Sequence, residues 1–360
     1  DLSDQNYSKI DLHKNVVDNL ILVSPSGKKM KREEDLIDVW FDSGSMPYAQ
    51  WHYPFENKEH IDSNNFYPAD FIAEGVDQTR GWFYTLHAIS TMVFDSISYK
   101  NVISNGLVLD KNGQKMSKRL GNAIDPFKTL SDFGPDATRW YMISNSNPWD
   151  NLKFDLGGVD EVKRKFFGTL YNTYSFFALY ANIDNFSFKE NEIKLDDKPE
   201  LDRWIISELN TLIRNVEKFY DDYEPTKAAR EITNFVTDNL SNWYVRLSRR
   251  RFWKGEYELD KISAYQTLFT VLVDICKISA PISPFFMDKM FQDLTKNVEG
   301  NFQQSVHLEA FPEYDTSKID KSLEEKVNYA QIISSLTLSL RAKEKIKVRQ
   351  PLNRILIPVD

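Results

Sequence analysis

Apolar residues recur with two different periods, which divide the chain into an α/β part and an all-α part. Between residues 38 and about 130, short apolar runs predict a strand over residues 66–72, a helix over 78–94 and a second strand over 101–109. Strand, helix and strand in succession predict a βαβ unit with parallel strands. Because the carboxyl ends of parallel strands meet at one edge of a sheet, we expect the polar residues that follow each strand to carry the chemistry.

From about residue 159 onward, the apolar pattern is helical. The clearest pattern consists of apolar residues at every third or fourth position: Leu201, Trp204, Ile205, Leu209, Leu212, Ile213, Val216 and Tyr220. They predict an amphipathic helix over 201–220, and similar patterns predict helices over residues 162–180, 225–247, 262–276 and 323–345. The polar stretch 185–200 is predicted to be a loop between helices, and residues 348–359 an extended end. Together these helices predict an antiparallel bundle.

The first 38 residues show no helical periodicity. A β-like run over residues 16–23, a turn over 24–27 and a basic stretch over 28–32 predict a connecting segment that carries a solvated turn. The chain starts with Asp1 rather than Met, so we expect it to be a piece of a longer protein.

Composition limits the class of protein and its partners. The 360 residues are 41% hydrophobic and 27% charged, which suits a water-soluble protein of two or more domains. The net charge is −8, so a nucleic acid would have to bind at a local basic patch. The single cysteine, Cys276, excludes a disulfide framework and a cysteine-based metal site, and it favours a reducing cytoplasm. No apolar run approaches the roughly 18 residues of a membrane span, so we expect no membrane partner.

The most specific chemical signal is the sequence KMSKR at residues 115–119, in a glycine-bracketed loop after the second strand. Lysines at a strand end suit a triphosphate, because mobile cations that engage most strongly in the transition state stabilise a departing pyrophosphate. The candidate residues are Lys115 and Lys118. The alternative interpretation, taken from the lysine spacing alone, is a solvated hairpin.

Two further segments combine polar and aromatic residues. Glu74, Asp77 and Gln78 follow the first predicted strand, where carboxylates can accept hydrogen bonds from a ribose or an ammonium group; alternatively, the acids only match the positive end of the next helix. Residues 241–254 contain five basic and no acidic side chains beside aromatic ones, which suits phosphates and stacked bases. The alternative is a helix whose last turn is matched to its dipole by arginines.

These motifs resemble those of the class I aminoacyl-tRNA synthetases. KMSKR resembles the second signature of that class, and EGVDQTRGWF at 74–83 resembles the adenylate-binding strand and helix of its isoleucyl enzymes. NWYVR, with the arginines that follow it, resembles the anticodon-binding bundle of the isoleucyl, valyl and leucyl group. Two positions depart from the commonest pattern: Arg119 stands where Ser is usual, and Asn105 stands where relatives often carry His.

The resemblance implies a role for each site residue. Lys115 and Lys118 would contact the ATP phosphates, while Ser117 would shape the loop. The aminoacyl-adenylate would be held by Glu74, Gly75, Asp77 and Gln78, and the adenine ring by the backbone of Asn105, Gly106, Leu107 and Val108. The branched side chain of the amino acid would lie between two indoles, Trp40 and Trp82. Contacts to tRNA are implied for Trp243, Arg246, Arg249, Arg250 and Arg251.

The same resemblance implies the second half of a Rossmann-like nucleotide-binding fold with parallel strands, followed by an all-α anticodon-binding bundle. The implied domains are a segment returning from the editing insertion (1–38), the second catalytic half (39–128), a stem-contact linker (129–158), the bundle (159–312) and the start of a C-terminal junction domain (313–360). No His-x-Gly-His signature occurs in the chain, so we expect the first catalytic half and most of the editing insertion to lie upstream.

The implied reaction is the ATP-dependent activation of L-isoleucine and its transfer to tRNA(Ile), with Mg²⁺ bound to ATP and no protein-held metal in this chain. We expect the chain alone to be inactive. Two alternatives stay open: valyl specificity, and a non-catalytic tRNA-binding role for the isolated chain.

Overall fold

The computed structural model describes residues 9, 11–35, 37–254, 256–298 and 300–357. These residues form two compact units, Asp1–Asn105 and Gly106–Asp360. In the described ranges, no helix is both long and apolar enough to cross a membrane.

The first unit contains four helices and four strands within its described residues. The helices are α1 (Lys14–Val17), α2 (Val39–Ala49), α3 (Lys58–Asp62) and α4 (Trp82–Phe94). The strands are β1 (Leu22–Val23), β2 (Lys29–Met30), β3 (Ala69–Gly75) and β4 (Tyr99–Asn105). A short 3-10 helix, Val76–Arg80, lies between β3 and α4.

The predicted βαβ unit is confirmed. Strands β3 and β4 pair in parallel, with Ala69 opposite Tyr99 and Gly75 opposite Asn105, and α4 connects them. The predicted helix over 78–94 is α-helical only from Trp82, because Gly81 has φ −135° and ψ −113°, which are not helical angles.

The start of the chain differs from its prediction. Val16 and Val17 belong to the short helix α1, so the predicted β-like run is a strand only at Leu22–Val23. That strand pairs antiparallel with β2 around a turn in which Gly27 has φ 79°. A positive φ favours glycine, because other residues are strained there.

Helix α2 is not indicated by the apolar pattern, and it packs against α4. A Cβ atom on Gly44 would lie 2.7 Å from Ile89 Cδ1 and 3.0 Å from the Thr85 carbonyl oxygen. The absence of a side chain at Gly44 therefore permits the close approach of the two helices. This packing holds Ser43 and Trp40 of α2 near the amino end of α4.

The second unit is a helical bundle with one short parallel strand pair. The strands are β5 (Val108–Leu109) and β6 (Leu152–Lys153). The helices are α5 (Pro126–Phe133), α6 (Pro135–Asn145), α7 (Leu156–Val162), α8 (Gly168–Ile183), α9 (Glu200–Asp221), α10 (Pro225–Asn234), α11 (Arg246–Trp253), α12 (Leu259–Ser279), α13 (Pro284–Thr295) and α14 (Lys321–Lys343). Two π-helical segments, Lys163–Phe167 and Phe235–Val245, make α7–α8 and α10–α11 continuous.

The helical pattern of the sequence is confirmed in this unit. Helix α9 buries all the predicted positions from Trp204 to Val216, and α12 is buried on nearly every side. Pro225 occupies the first turn of α10, where its missing N–H costs nothing. Helix α13 was not predicted, and the residues of the predicted stem-contact linker, 129–158, include the end of α5, helix α6 and the start of α7.

The predicted second strand, over 101–109, is divided between the two units. It ends as β4 at Asn105 and resumes as β5, which pairs with β6. The chain after Lys343 contains no strand within its described residues, and positions 358 and 359 of the predicted extended end lie outside them.

A buried ion pair connects three elements of the bundle. The carboxylate of Asp202 on α9 has no exposed surface. Its Oδ1 accepts hydrogen bonds from Tyr244 Oη at 2.9 Å and Arg251 Nη1 at 2.6 Å, while its Oδ2 accepts from Arg251 Nη2 at 2.8 Å and Ser263 Oγ at 2.6 Å. Both oxygens of the carboxylate are hydrogen-bonded, and Arg251 binds them in a bidentate manner, which is the geometry in which the attraction of a buried pair can offset its desolvation cost.

We predict that Asp202→Asn lowers the free energy of unfolding by about 3–5 kcal/mol, because it removes the buried carboxylate that binds both Nη atoms of Arg251 and leaves the guanidinium only the exposed Asp260 carboxylate, 2.9 Å from its Nε. Guanidinium unfolding followed by circular dichroism measures this loss. The control is Asp160→Asn, which removes an exposed pair with Arg164 and should cost less than about 1 kcal/mol. Equal losses in both variants would contradict the prediction.

A second carboxylate, that of Asp274 on α12, lines a cavity of about 380 Å³ between α9, α12 and the loop before α9. Removal from water raises the pKa of Asp274 to about 6, and the charges of Lys277 and Lys318 only partly oppose the rise. Below about pH 4 the carboxyl is protonated in both folded and unfolded chains. Between about pH 4 and 6 the unfolded chain releases this proton more readily than the folded chain does, so the free energy of unfolding falls as pH rises. Above about pH 6 both chains have lost the proton, and this contribution stays constant.

We predict that Asp274→Asn removes this loss of stability. As pH rises from 4 to 7, the free energy of unfolding of the variant should rise relative to that of the unmodified chain, by up to about 3 kcal/mol. Urea midpoints measured at several pH values test the prediction, and a constant difference between the two chains would contradict it.

Candidate active site and nucleic-acid interface

The polar residues predicted to bind an adenylate lie at the carboxyl end of the β3–β4 pair. Gly75 is opposite Asn105, and Glu74 is opposite Ser104. Asp77 and Gln78 follow in the 3-10 helix. We call Glu74, Gly75, Asp77, Gln78 and Asn105 the carboxyl edge, since the strand register brings them together.

Gln78 connects this edge to helix α4. Its Nε2 donates to Asp77 Oδ2 at 3.0 Å, and its Oε1 accepts from the Trp82 backbone N–H at 2.9 Å. Gln78 thus satisfies a first-turn N–H of α4 and fixes the Asp77 carboxylate. A Cβ on Gly75 would lie 2.6 Å from Asp77 Oδ1, so only glycine allows this carboxylate position.

The two predicted pocket tryptophans lie close to Gly81. The Trp82 indole N–H donates to the Ser43 carbonyl at 2.9 Å, which fixes that ring against α2. A Cβ on Gly81 would lie 3.2 Å from Trp40 Cη2. Trp40 is 47% exposed, so its indole presents apolar surface beside the carboxyl edge. Two indoles next to polar acceptors can bind an apolar side chain attached to a charged group.

In the second unit, the lysine loop (residues 111–121) begins after β5 and the tight turn at Asp110. Residues Leu109 and Lys115 form an antiparallel bridge across its base. Ser117 Oγ accepts a hydrogen bond from Leu120 N at 3.2 Å and so caps the 3-10 helix Lys118–Leu120. Met116 packs partly buried against the core of the bundle. The backbone is therefore ordered, although the loop lies at the surface.

The cations of the lysine loop are exposed. Within the part of the chain that the structure describes, the ammonium groups of Lys115 and Lys118 and the guanidinium of Arg119 make no hydrogen bond or ion pair. Acidic residues outnumber basic ones in the whole chain, whose net charge is −8, yet none of the described acidic residues pairs with these three cations. These charges remain free to bind an anion.

Most backbone groups of the predicted adenine cradle bind neighbouring residues of the protein. Gly106 N donates to Pro148 O at 2.9 Å, and Leu107 N donates to Asn151 Oδ1 at 2.8 Å. The Leu107 carbonyl accepts from Leu152 N at 2.9 Å. Alternation along a parallel strand directs the Val108 amide and carbonyl away from β6, so Val108 is the cradle residue best placed for a ligand.

The sequence interpretation missed two residues below the lysine loop. Asp110 is 8% exposed as a residue, and its carboxylate accepts hydrogen bonds from the Asn122 side chain and from backbone N–H groups of the following turn. These bonds, the one from Asn122 above all, lower the pKa of Asp110. The Asp-Lys-Asn-Gly turn was visible in the sequence, but no local pattern pairs a residue with one 12 positions later.

Helix α11 presents a basic face. Arg246, Arg249 and Arg250 are three and four positions apart, are exposed, and make no ion pair within the described residues. Trp253, one turn further on, is 48% exposed. We call these four residues the arginine face; its spacing places them on one side of the helix.

Two predicted nucleic-acid contacts lie elsewhere. Arg251 donates twice to the buried Asp202 and to the Asp260 carbonyl, so its guanidinium holds the bundle together and is not available to RNA. The prediction for Arg251 is therefore corrected. Trp243 is half-buried against the core. Helical spacing alone does not separate a surface arginine from a buried one when a carboxylate lies on the neighbouring helix.

Comparison with known proteins agrees with this geometry. The family described as tRNA synthetases class I (I, L, M and V) matches residues 1–155, and the anticodon-binding domain of tRNA ligase matches residues 202–356. The chain therefore belongs to the class I aminoacyl-tRNA synthetases.

Several curated relatives of this chain are isoleucine–tRNA ligases. An isoleucine–tRNA ligase of Bacteroides fragilis is 64% identical over 357 residues, 99% of this chain and 31% of that protein. Those of Bacteroides thetaiotaomicron and Clostridium novyi are 65% and 50% identical over 98% and 97% of this chain, and 30% and 33% of their own length is covered. The chain thus spans about a third of the length of the curated relatives it matches.

A solved structure supports the fold. The agnB2 LeuRS of Agrobacterium radiobacter K84, crystallised as a ternary complex with tRNA and LeuAMS, aligns with a TM-score of 0.62 over 83% of this chain and 36% of that chain. The sequences are only 19% identical, so the likeness concerns the fold. It agrees with a catalytic segment of parallel strands followed by a helical bundle.

Proposed function

We propose that this chain contributes to the ATP-dependent ligation of L-isoleucine to tRNA(Ile), with the carboxyl edge and the lysine loop acting in amino-acid activation and the helical bundle binding tRNA. The observation that carries the proposal is the set of unpaired cations at KMSKR, in a chain 64% identical to an isoleucine–tRNA ligase.

In the first step, a carboxylate oxygen of isoleucine attacks the α-phosphorus of ATP, and the bond to the bridging oxygen of pyrophosphate breaks. Negative charge builds on the leaving pyrophosphate. Lys115 and Lys118 stabilise that charge: their attraction to the phosphates grows as the charge develops, and their exposed, flexible side chains can move to meet it. The products are isoleucyl-adenylate and pyrophosphate.

The carboxyl edge binds the adenylate. The Glu74 and Asp77 carboxylates accept hydrogen bonds from ribose hydroxyls or from the α-ammonium group of the amino acid. Trp40 and Trp82 contact the branched side chain. In the second step, a ribose hydroxyl of tRNA attacks the carbonyl carbon of the adenylate, loses its proton, and displaces AMP.

Magnesium accompanies ATP in this proposal. Within the described residues, no group of three or more His, Cys, Asp or Glu side chains is arranged to hold a metal ion. The lysine loop offers ammonium groups, which do not ligate cations, so the phosphate oxygens would hold Mg²⁺ and neutralise part of their charge. We place the reaction in the cytoplasm, in line with the single free and buried Cys276.

The proposal is tested with a chimaera in which this chain replaces the matching 357-residue segment of the Bacteroides fragilis ligase. We expect the chimaera to catalyse isoleucine-dependent exchange between pyrophosphate and ATP. Exchange that depends on valine and not on isoleucine would favour the valyl alternative, and a folded chimaera without exchange would contradict the proposal.

We predict that Lys118→Ala in this chimaera lowers kcat for pyrophosphate exchange by about 100-fold or more, with a smaller change in the KM for ATP, because one transition-state contact is lost. The matched control is Lys111→Ala, which removes another exposed lysine of the same loop and should leave kcat within about twofold. Similar losses in both variants would show that only general charge matters.

A second function is open to the chain by itself, that of a tRNA-binding module. The arginine face favours it, since three unpaired guanidinium groups beside an exposed indole can bind phosphates and a stacked base. Pyrophosphate exchange distinguishes the two functions, because exchange by this chain alone would show that no further segment is needed for activation.

We predict that Arg249→Glu combined with Arg250→Glu weakens tRNA binding by at least about tenfold and flattens its salt dependence, because each lost phosphate contact reduces counter-ion release. Filter binding at several salt concentrations measures both effects. The control, Lys218→Glu with Lys326→Glu, changes the net charge equally at exposed sites off the arginine face. Equal weakening in the two double variants would argue for a diffuse electrostatic effect.

A further inference from the structure

Asp110 and Asn122 bracket the lysine loop and bind each other beneath it. Asn122 Nδ2 donates to Asp110 Oδ2 at 2.9 Å. The contact joins the residue before the loop to the residue after it. The two ends are therefore held together by side chains, since β5 ends at Leu109 and the 3-10 helix ends at Leu120.

Each side chain of this pair also binds the loop backbone. Asp110 Oδ1 accepts from Asn112 N at 2.9 Å and from Gln114 N at 2.8 Å. Asn122 Oδ1 accepts from Ser117 N at 2.9 Å, and Asn122 Nδ2 donates to Lys115 O at 3.3 Å. The backbone is thus bound at positions on both sides of Met116.

The bound positions include or adjoin the residues that carry the cations. Asn122 contacts the backbone of Lys115 directly and that of Ser117, the neighbour of Lys118. Neither Asp110 nor Asn122 binds an ammonium group of the described loop. The pair therefore fixes the backbone while leaving the four-carbon lysine stems free to move.

We propose that Asp110 and Asn122 are positioning residues for amino-acid activation, which set the place from which Lys115 and Lys118 reach the pyrophosphate. This inference rests on the proposed function of the lysine loop. Because a displacement of about 1 Å can cost about 100-fold in rate, loss of the pair should lower kcat without removing any charge that contacts ATP.

The chemistry of the pair suggests a reciprocal test. Asp110→Asn leaves a single oxygen where donors approach from two sides, the Asn112 and Gln114 N–H groups and Asn122 Nδ2, and Asn122→Asp places two carboxylates opposite each other, so each single change spoils the contact. The double variant, which combines Asp110→Asn with Asn122→Asp, again has one amide and one carboxylate, in exchanged places. Asn112→Ala is the control, because the Asn112 side chain makes no hydrogen bond in the described loop.

The experiment measures pyrophosphate exchange by these variants in the chimaera. We expect each single variant to lower kcat by about 10-fold or more, with the KM for isoleucine within about twofold, and the double variant to recover at least part of the loss. Asn112→Ala should behave like the unmodified chimaera. Thermal unfolding of every variant is recorded alongside, because a purely structural role would move the melting temperature together with kcat.

Tryptic cleavage of the 360-residue chain gives a readout that does not need activity. Mass spectrometry identifies cleavage after Lys115, Lys118 and Arg119, and we expect it to be at least about fivefold faster in the single variants and slower again in the double variant. Unchanged kcat and cleavage in both single variants, or no recovery in the double variant, would overturn the inference. An inactive unmodified chimaera would instead overturn the proposed function, and the cleavage rates would still decide whether the pair orders the loop.

Discussion

The bidentate pair between the Asp202 carboxylate and the Arg251 guanidinium is the interaction on which the arrangement of the helical unit depends. It joins α9 to α11, and through Ser263 it reaches α12. Because the Arg251 side chain points inward to this contact, α11 has a fixed orientation. In that orientation, Arg246, Arg249 and Arg250 face the solvent. A helix with only apolar contacts could rotate about its axis at a small cost. Rotation of α11 would separate the buried Arg251 charge from the Asp202 carboxylate, which carries a large desolvation cost.

The lysine loop follows the same physical scheme on a smaller scale. Its exposed cations are presented by a backbone bound to a buried carboxylate, Asp110, through neutral amide groups. Asp202 binds side chains of three helical segments and Asp110 binds backbone N–H groups, and neither carboxylate pairs with the exposed cations beside it. A chain with a net charge of −8 can thereby present concentrated positive charge at two local surfaces, where polyanions would bind.

The elements that could be predicted from the sequence are those whose period is long and regular. The helix Glu200–Asp221 and the parallel pair of β3 with β4 follow directly from apolar spacing, because burial of one face or of a whole strand leaves a repeating signal. Helix α2 was missed, since its apolar residues show no amphipathic repeat and its packing depends on Gly44. The family motifs identified the candidate residues of both sites.

Long-range polar contacts leave no such periodic trace: the buried partner of Arg251 lies 49 positions away, and the side-chain partner of Asp110 lies 12 positions away. That is why Arg251 was assigned to RNA and Asp110 was overlooked.

The most direct measurement of the central claim is aminoacylation of tRNA(Ile) by the chimaera that carries this chain. The account predicts isoleucyl-tRNA formation at a rate within about tenfold of the Bacteroides fragilis parent, since the two segments are 64% identical and the proposed site residues are present. A correctly folded chimaera that binds tRNA(Ile) but forms no isoleucyl-tRNA with ATP and isoleucine would contradict it.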